Sequence, residues 1–389
     1  MSVKQTLQLV GCLLLFIGCN SSTTNTKQSD TLENTVKITG EQAKVSYAKT
    51  FNLEYRDNFK LLHLNNPFSK DNSEIQTIVL LPKGNTVPKG FENNTIVRIP
   101  IKRIITTTTA QTSMLEELGS IDVIKGYTSK DYMYSQAIVD KMNDGSIITV
   151  GYDINDNAEK IIGAAADLVM IVGSSSSSSS SFPVLNASKI PVISNTDWQE
   201  NSMLGRAEWI KVFGALLNKE KSANTIFDNV VKKYDTLLSL AKTAKTKPKV
   251  ITGLPYKGMW SVPGGQSYLA QALKEVHANY PWKETQETGS IQLDLEGVYA
   301  KGKDANFWIN PGQVKSIEEL KNLDNRYTKF KAFSTGKIYN HNKRIRNSTA
   351  NDYWGTGIIH PELIVADLIK IFHPELLPEH KLFFYKQLK

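Results

Sequence analysis

The sequence predicts an α/β protein built as two lobes on either side of one long helix. Three observations predict it: strand and helix patterns alternate over residues 101–200, they alternate again over 248–389, and the most regular periodic stretch of the chain runs between them. Such alternation implies layered α/β structure with largely parallel strands. At 389 residues, with 40% hydrophobic and 9% aromatic content, the chain has the material for two cores of this kind.

In chain order, the first element is the apolar run Leu7 to Ile17, preceded by Lys4 and closed by Gly18-Cys19-Asn20. This pattern marks a lipoprotein signal peptide over residues 1–18, with Cys19 destined for lipid attachment. The run is shorter than the roughly 20 apolar residues that a membrane-spanning helix needs, and no later segment approaches that length. The protein is therefore expected at the cell envelope, held by its anchor and facing the periplasm or the exterior. The only cysteines are Cys12 and Cys19, so cleavage leaves one and excludes an internal disulfide. Residues 19–35 are rich in Ser, Thr and Asn and read as a flexible tether with a reach of roughly 20 to 25 Å.

Residues 36–100 read as a β-rich segment. Short alternating runs occur at Thr77 to Leu81 and Thr95 to Pro100, with a turn signal at Pro82-Lys83-Gly84. The first α/β lobe, 101–200, opens with the strand Arg103-Ile104-Ile105 running into Thr106 to Thr109, followed by a helix through Ser113 to Gly119. Buried strands fit Leu168 to Val172 and Pro191 to Ile193. Over 201–247, Ala223, Phe227, Val230, Tyr234, Leu237, Leu238 and Ala241 fall at three- and four-residue steps, the signature of an amphipathic helix. Such a helix spans roughly 30 to 35 Å. The second lobe, 248–389, carries strands at Val250 to Thr252 and Asn306 to Ile309, and helices near Tyr268 to Val276 and Pro361 to Phe372.

An internal echo links the lobes: Glu159 and Glu296 each open a short helix, and an aspartate, Asp167 or Asp304, follows eight residues later before a buried strand. An acid suits the positive end of a helix. The net charge of +8 suits an anionic ligand, although the lysines are scattered and export makes nucleic acid an improbable partner. The six histidines lack tight ligand spacing and read as surface or capping residues. Neither a Gly-x-Ser-x-Gly elbow, a His-Glu-x-x-His helix nor a phosphate-binding glycine loop is present, so the sequence advertises no enzyme.

Taken in order, the Thr106 to Thr109 strand end, the Glu159 and Glu296 units, the long helix and the closing Arg344 to Pro361 stretch resemble the iron-siderophore and cobalamin class of ABC-importer substrate-binding lipoproteins. The likeness covers residues 101–376, with 36–100 as an addition. It implies two α/β lobes bridged by one rigid helix, a metal chelate bound in the cleft between them, and a monomer that delivers this cargo to a membrane permease. It also implies that one acid per lobe docks onto the permease, and Glu159 and Glu296 match those positions by local context. The chain departs from the family pattern at Ser174 to Ser181, eight serines where an amphipathic helix is expected. Serine is a mediocre helix former, and such a tract reads as a linker.

Ligands of open α/β sheets sit beyond the carboxyl ends of the strands, which selects the candidate contacts. In the first lobe these are Thr109 and Gln111, Tyr127 and Tyr132, and Tyr152. In the second they are Lys257 and Trp260, Trp308, Arg344 and Arg346, and Tyr353 with Trp354. Trp260 is the foremost single candidate, whereas Trp209 and Trp282 are assigned to packing. Rings supply area for a large flat chelate, and guanidinium forks grip carboxylate or catecholate oxygens. The cargo expected is an iron chelate, a ferric siderophore or haem, with cobalamin as the alternative. No resident cofactor or metal is implied, although His341 and His360 bracket the candidate arginines and aromatics and are the positions from which an axial ligand could come. Two other classes stay open: a surface lipoprotein that presents its β-rich segment to a protein partner, and an enzyme on a chelatase-like two-lobed fold.

Overall fold

The structure, a computed structural model, describes residues 35–68, 75–174 and 181–389. The signal peptide, Cys19, all of the tether except Thr35, and Ser175 to Ser180 lie outside the described residues. Among the described residues no helix is long and apolar enough to cross a membrane.

The N-terminal segment forms a four-stranded sheet in the order β1 (Phe51–Tyr55), β2 (Lys60–Asn65), β3 (Ile75–Pro82) and β4 (Thr95–Ile99). The first two pairings are antiparallel and β3–β4 is parallel. Alternation along the strands serves two cores at once. Leu62, Leu64, Ile78 and Leu80 join the core of the first lobe, while Leu61, Val79 and Leu81 close a small cluster with Phe59 on the opposite face. Two buried carboxylates pin the approach to this sheet. Glu208 accepts from the Ser46, Tyr47 and Ala48 amides at 2.9, 2.7 and 2.8 Å, and Glu200 accepts from Lys49 and Thr50 at 2.7 and 3.0 Å.

Five parallel strands make the sheet of the first lobe: β5 (Ile104–Thr106), β6 (Ile124–Tyr127), β7 (Ile148–Thr149), β8 (Leu168–Val172) and β9 (Val192–Asn195). Their spatial order is β7-β6-β5-β8-β9. The chain thus winds one way from β5 to β7 and the other way from β8 to β9, so the direction reverses between β5 and β8, the place where such sheets open a crevice.

The second lobe contains β10 (Val250–Thr252), β11 (Pro255–Tyr256), β12 (Met259–Pro263), β13 (Ser290–Leu293), β14 (Phe307–Ile309), β15 (Ile338–Asn340) and β16 (Lys386–Gln387). One sheet has the order β10-β14-β15-β16, parallel except at β16, and β11-β12-β13 forms a separate antiparallel sheet.

The helix Glu220–Ala241 joins the lobes and shares its apolar stripe between them. Ala223 and Phe227 belong to the core of the first lobe, and Val230, Tyr234 and Ala241 to that of the second. Its 22 residues extend about 33 Å. The helix can approach its neighbour Ile210–Leu217 because Gly214 has no side chain: a Cβ there would lie 2.7 Å from the Ala223 Cβ.

Candidate functional site

At the carboxyl end of β5 the chain turns straight into the helix Thr109–Glu117 through a capping box: Thr108 accepts from the Gln111 amide, and the Gln111 side chain accepts from the Thr108 amide. The turn is tied to the neighbouring strand. Thr107 Oγ1 accepts from the Val172 amide at 3.0 Å, and Gln111 Nε2 donates to the Ile171 carbonyl at 3.3 Å. Gln111 is fully buried in this work, so it braces the crevice and offers nothing to a ligand. Thr109 spends its hydroxyl on the Trp354 carbonyl of the second lobe at 3.0 Å.

The rings of the first lobe divide by depth. Tyr127, on β6, is 1% exposed and packs in the core, where burial raises its hydroxyl pKa. Tyr132 and Tyr152, in the loops after β6 and β7, are 42% and 68% exposed and meet edge to face at 5.9 Å. Val172 adds an exposed apolar residue at the end of β8.

In the second lobe the hairpin β11–β12 sorts its residues by the two-residue period of a strand. Tyr256 and Met259, paired across it, face out, while Trp260 faces in and is fully buried. Trp260 stacks on Trp308 at 5.4 Å, and their indole N–H groups donate to the Thr252 and Gly253 carbonyls at 3.0 and 2.8 Å. These two tryptophans hold the carboxyl end of β10 together, which corrects the expectation that they contact cargo. Lys257 sits at the hairpin tip with its ammonium 5.5 Å from the Tyr256 ring centroid.

The segment from His341 to His360 closes the seam between the lobes. Arg346 reaches across it, donating to the Met133 and Lys130 carbonyls at 2.8 and 2.6 Å, and Thr349 donates to the Asp131 carbonyl at 2.7 Å. Arg344 donates to Asp352 at 2.6 Å and lies 5.3 Å from the Tyr134 ring. Tyr353 is buried and stacks on His341 at 4.3 Å, whereas Trp354 is 41% exposed. Behind Arg346 lies a polar chamber of about 540 Å³ lined by Thr109, Ser113, Glu116, Tyr134 and Asp352 among others.

All six histidines are expected at the surface or in caps, and the structure places two of them otherwise. His373 is fully buried, with Nε2 3.1 Å from the Val276 carbonyl. His341 is enclosed by its ring stack, and burial lowers its pKa to about 4. It is therefore neutral at pH 7, with Nδ1 accepting from Asn351 at 3.2 Å. Burial would lower His360 as well, but hydrogen bonds to Glu117 and Glu362 outweigh it and raise its pKa to about 9. Among the described residues no cluster of three or more His, Cys, Asp or Glu side chains could hold a metal ion.

The internal echo has a structural counterpart at the opposite, amino ends of the strands. Asp167 accepts from the Lys102 and Arg103 amides at 2.7 and 3.0 Å and pairs with the Arg103 guanidinium at 3.1 Å. Asp304 pairs with Lys249 at 2.6 Å, and that bond lowers its pKa. In each lobe the aspartate thus meets the cation that immediately precedes the first strand of the sheet. Glu159 and Glu296 sit in the first turns of the helices Ala158–Gly163 and Leu295–Gly302 and are exposed. Glu296 shares Arg326 with Asp324.

Sequence reasoning passed over Val172, Asp352 and the carbonyls of the 130–133 loop. The apolar run ending at Val172 immediately before Gly173 was a usable signal for the first, but backbone acceptors leave no trace in side-chain identity.

Two α/β lobes, a spanning helix and rings gathered at strand carboxyl ends define a two-lobed solute receptor. Residues 104–344 match the periplasmic binding protein family, and the chain belongs to it. The match begins at β5, leaving the four-stranded N-terminal sheet outside it. Over nearly its whole length the chain is also similar to two uncharacterised lipoproteins of Methanocaldococcus jannaschii. One is 27% identical, covering 94% of this chain and 88% of the relative; the other is 24% identical, covering 95% and 94%. The fold is similar to that of a periplasmic binding protein from Veillonella parvula, with a TM-score of 0.56 and 12% identity over 81% of this chain and 98% of that one. It is also similar to periplasmic haem-binding proteins from Pseudomonas aeruginosa and Vibrio cholerae. The first has a TM-score of 0.56 and 13% identity over 74% of this chain and 98% of that one. The second has a TM-score of 0.55 and 16% identity over 70% and 99%.

Proposed function

We propose that this chain is the substrate-binding lipoprotein of an ABC importer, anchored through Cys19, that captures an iron chelate at the interlobe seam and delivers it to a membrane permease. One observation carries the reading: Tyr132, Tyr152, Tyr256, Met259 and Trp354, large apolar side chains left exposed, all lie in loops after strand carboxyl ends, on the β11–β12 hairpin or in the seam segment. Exposed rings of this kind supply sliding area for a flat chelate, each worth about 0.5 to 1.5 kcal/mol. Lys257 and Arg346 add positive charge beside them. Several such contacts support micromolar or tighter capture, about −8 kcal/mol.

The specific cargo we infer is a ferric siderophore or haem. Titration calorimetry with ferric siderophores, haemin and cobalamin tests it. Binding of an iron chelate at micromolar or lower Kd is expected. Iron chelates that bind no tighter than about millimolar, while cobalamin binds, overturn the iron reading.

Cobalamin is favoured by one feature, the prior engagement of Arg344 by Asp352 and of Arg346 by loop carbonyls, which leaves a more neutral aromatic rim. The substitutions Arg344→Ala and Arg346→Ala separate the two readings, since both should weaken an anionic iron chelate and leave a neutral cobalamin unaffected.

A further inference from the structure

The cavity described above lies at the seam, and a larger one, about 680 Å³, opens at the other end of the second lobe. Its position follows from the strand register. Phe307 is the first residue of β14, Lys337 immediately precedes β15, and Lys247 precedes β10, so the cavity sits at the amino ends of the parallel strands, away from the cargo crevice.

The composition of the wall is one-sided. Phe307, Phe372 and Tyr339 form an aromatic floor: the Phe307 ring lies 5.2 Å from Phe372, edge to face, and 6.3 Å from Tyr339. Three ammonium groups stand around it, from Lys247, Lys337 and Lys370. Among the described residues that line the cavity no side chain is acidic. Lys337 lies over the Phe307 face at 5.0 Å, and Lys370 is steered by the Pro378 carbonyl at 2.7 Å. Neither carries a carboxylate partner, so their charge is uncompensated within the cavity.

An aromatic floor rimmed by like charges matches a ligand with a flat apolar body and a compact anionic head. We propose that this cavity is a second binding site, separate from the interlobe seam, for a small aromatic anion of the phosphate or carboxylate class. The body lies against Tyr339 and the cavity-facing edges of Phe307 and Phe372, and the head is shared by the lysines.

Calorimetry on the full-length protein tests this with 1-naphthyl phosphate, 1-naphthoate, inorganic phosphate and neutral 1-naphthol. At least one aromatic anion is expected to bind tenfold or more tightly than both naphthol and inorganic phosphate. The Lys247→Met/Lys337→Met double variant should lose that tenfold preference without a change in melting temperature, since both lysines are exposed. The Arg346→Ala variant should retain it, which separates this site from the seam. Equal affinity for naphthol, retention of the preference in the double variant, loss of it in Arg346→Ala, or no binding of either aromatic anion each overturns the proposal.

Discussion

The two lobes solve the same problem alike at one end of their sheets and differently at the other. At the amino ends, Asp167 and Asp304 each grip the cation that precedes the first strand, Arg103 in one lobe and Lys249 in the other. At the carboxyl ends the lobes diverge. The first lobe leaves Tyr132 and Tyr152 exposed in loops, while the second buries Trp260 and Trp308 as a structural stack and offers Tyr256 and Met259 on a hairpin. The repeated features build the scaffold, and the unrepeated ones shape the exposed surface at the carboxyl ends of the strands.

Glu159 and Glu296, the acids expected to dock onto a permease, give the largest test of this comparison. Glu159→Arg or Glu296→Arg should abolish transport in a reconstituted importer while chelate affinity stays unchanged. Loss of transport in only one variant would show that the lobes do not share the docking role, and loss of chelate binding would contradict docking itself.

Next in size, Trp260→Ala should destabilise the protein by about 3 to 5 kcal/mol, because it leaves a cavity under the Trp308 stack. Tyr256→Ala, four residues away but exposed, should change stability by less than about 0.5 kcal/mol and weaken chelate binding by about 0.5 to 1.5 kcal/mol. Denaturant melts paired with calorimetry read both, and the reverse pattern would exchange the roles of the two rings.

The echoing aspartates should not be equal. Asp167 is 15% exposed and satisfies two backbone amides besides its arginine, so Asp167→Ala should cost about 1 to 3 kcal/mol. Asp304 is 63% exposed and holds one lysine, so Asp304→Ala should cost less than about 1 kcal/mol. Equal losses would mean that the backbone bonds contribute little.

The smallest effect concerns the contact of the helix Thr109–Glu117 with the C-terminal helix through His360. Its folded pKa of about 9 stands above the ordinary 6.5, so its contribution is fully present below about pH 6.5 and fades as the pH rises through about 9. Unfolding free energies from denaturant melts between pH 6 and 10 should fall by on the order of 1 kcal/mol, part of the interaction being screened by solvent. Glu117→Gln should flatten that slope, and an unchanged slope would remove His360 from this role.

Much of the scaffold was legible because it rests on local patterns. The three- and four-residue steps from Ala223 to Ala241 lie within the helix Glu220–Ala241, and the short run Val250 to Thr252 is β10. The spacing of Glu159 to Asp167 and Glu296 to Asp304 pointed to a repeat whose physical content, a carboxylate tied to a neighbouring strand, became visible only in three dimensions. The site was less legible. Trp260 and Tyr256 stand four residues apart in one aromatic stretch, and only the hairpin register, which pairs Pro255 with Trp260 and Tyr256 with Met259, decides which ring turns inward. Likewise the partners of Arg344 and Arg346, Asp352 and the Lys130 and Met133 carbonyls, became visible only in the fold.

By itself the sequence determined the two α/β lobes and the helix between them, because periodicity and strand–helix alternation depend on near neighbours in the chain. Only the tertiary structure decided that Trp260 and Trp308 are core, that the N-terminal sheet shares the core of the first lobe, and that the cations of the seam are already engaged. Burial, stacking and backbone acceptance are relations between residues distant in sequence, and the folded chain alone supplies both partners of each.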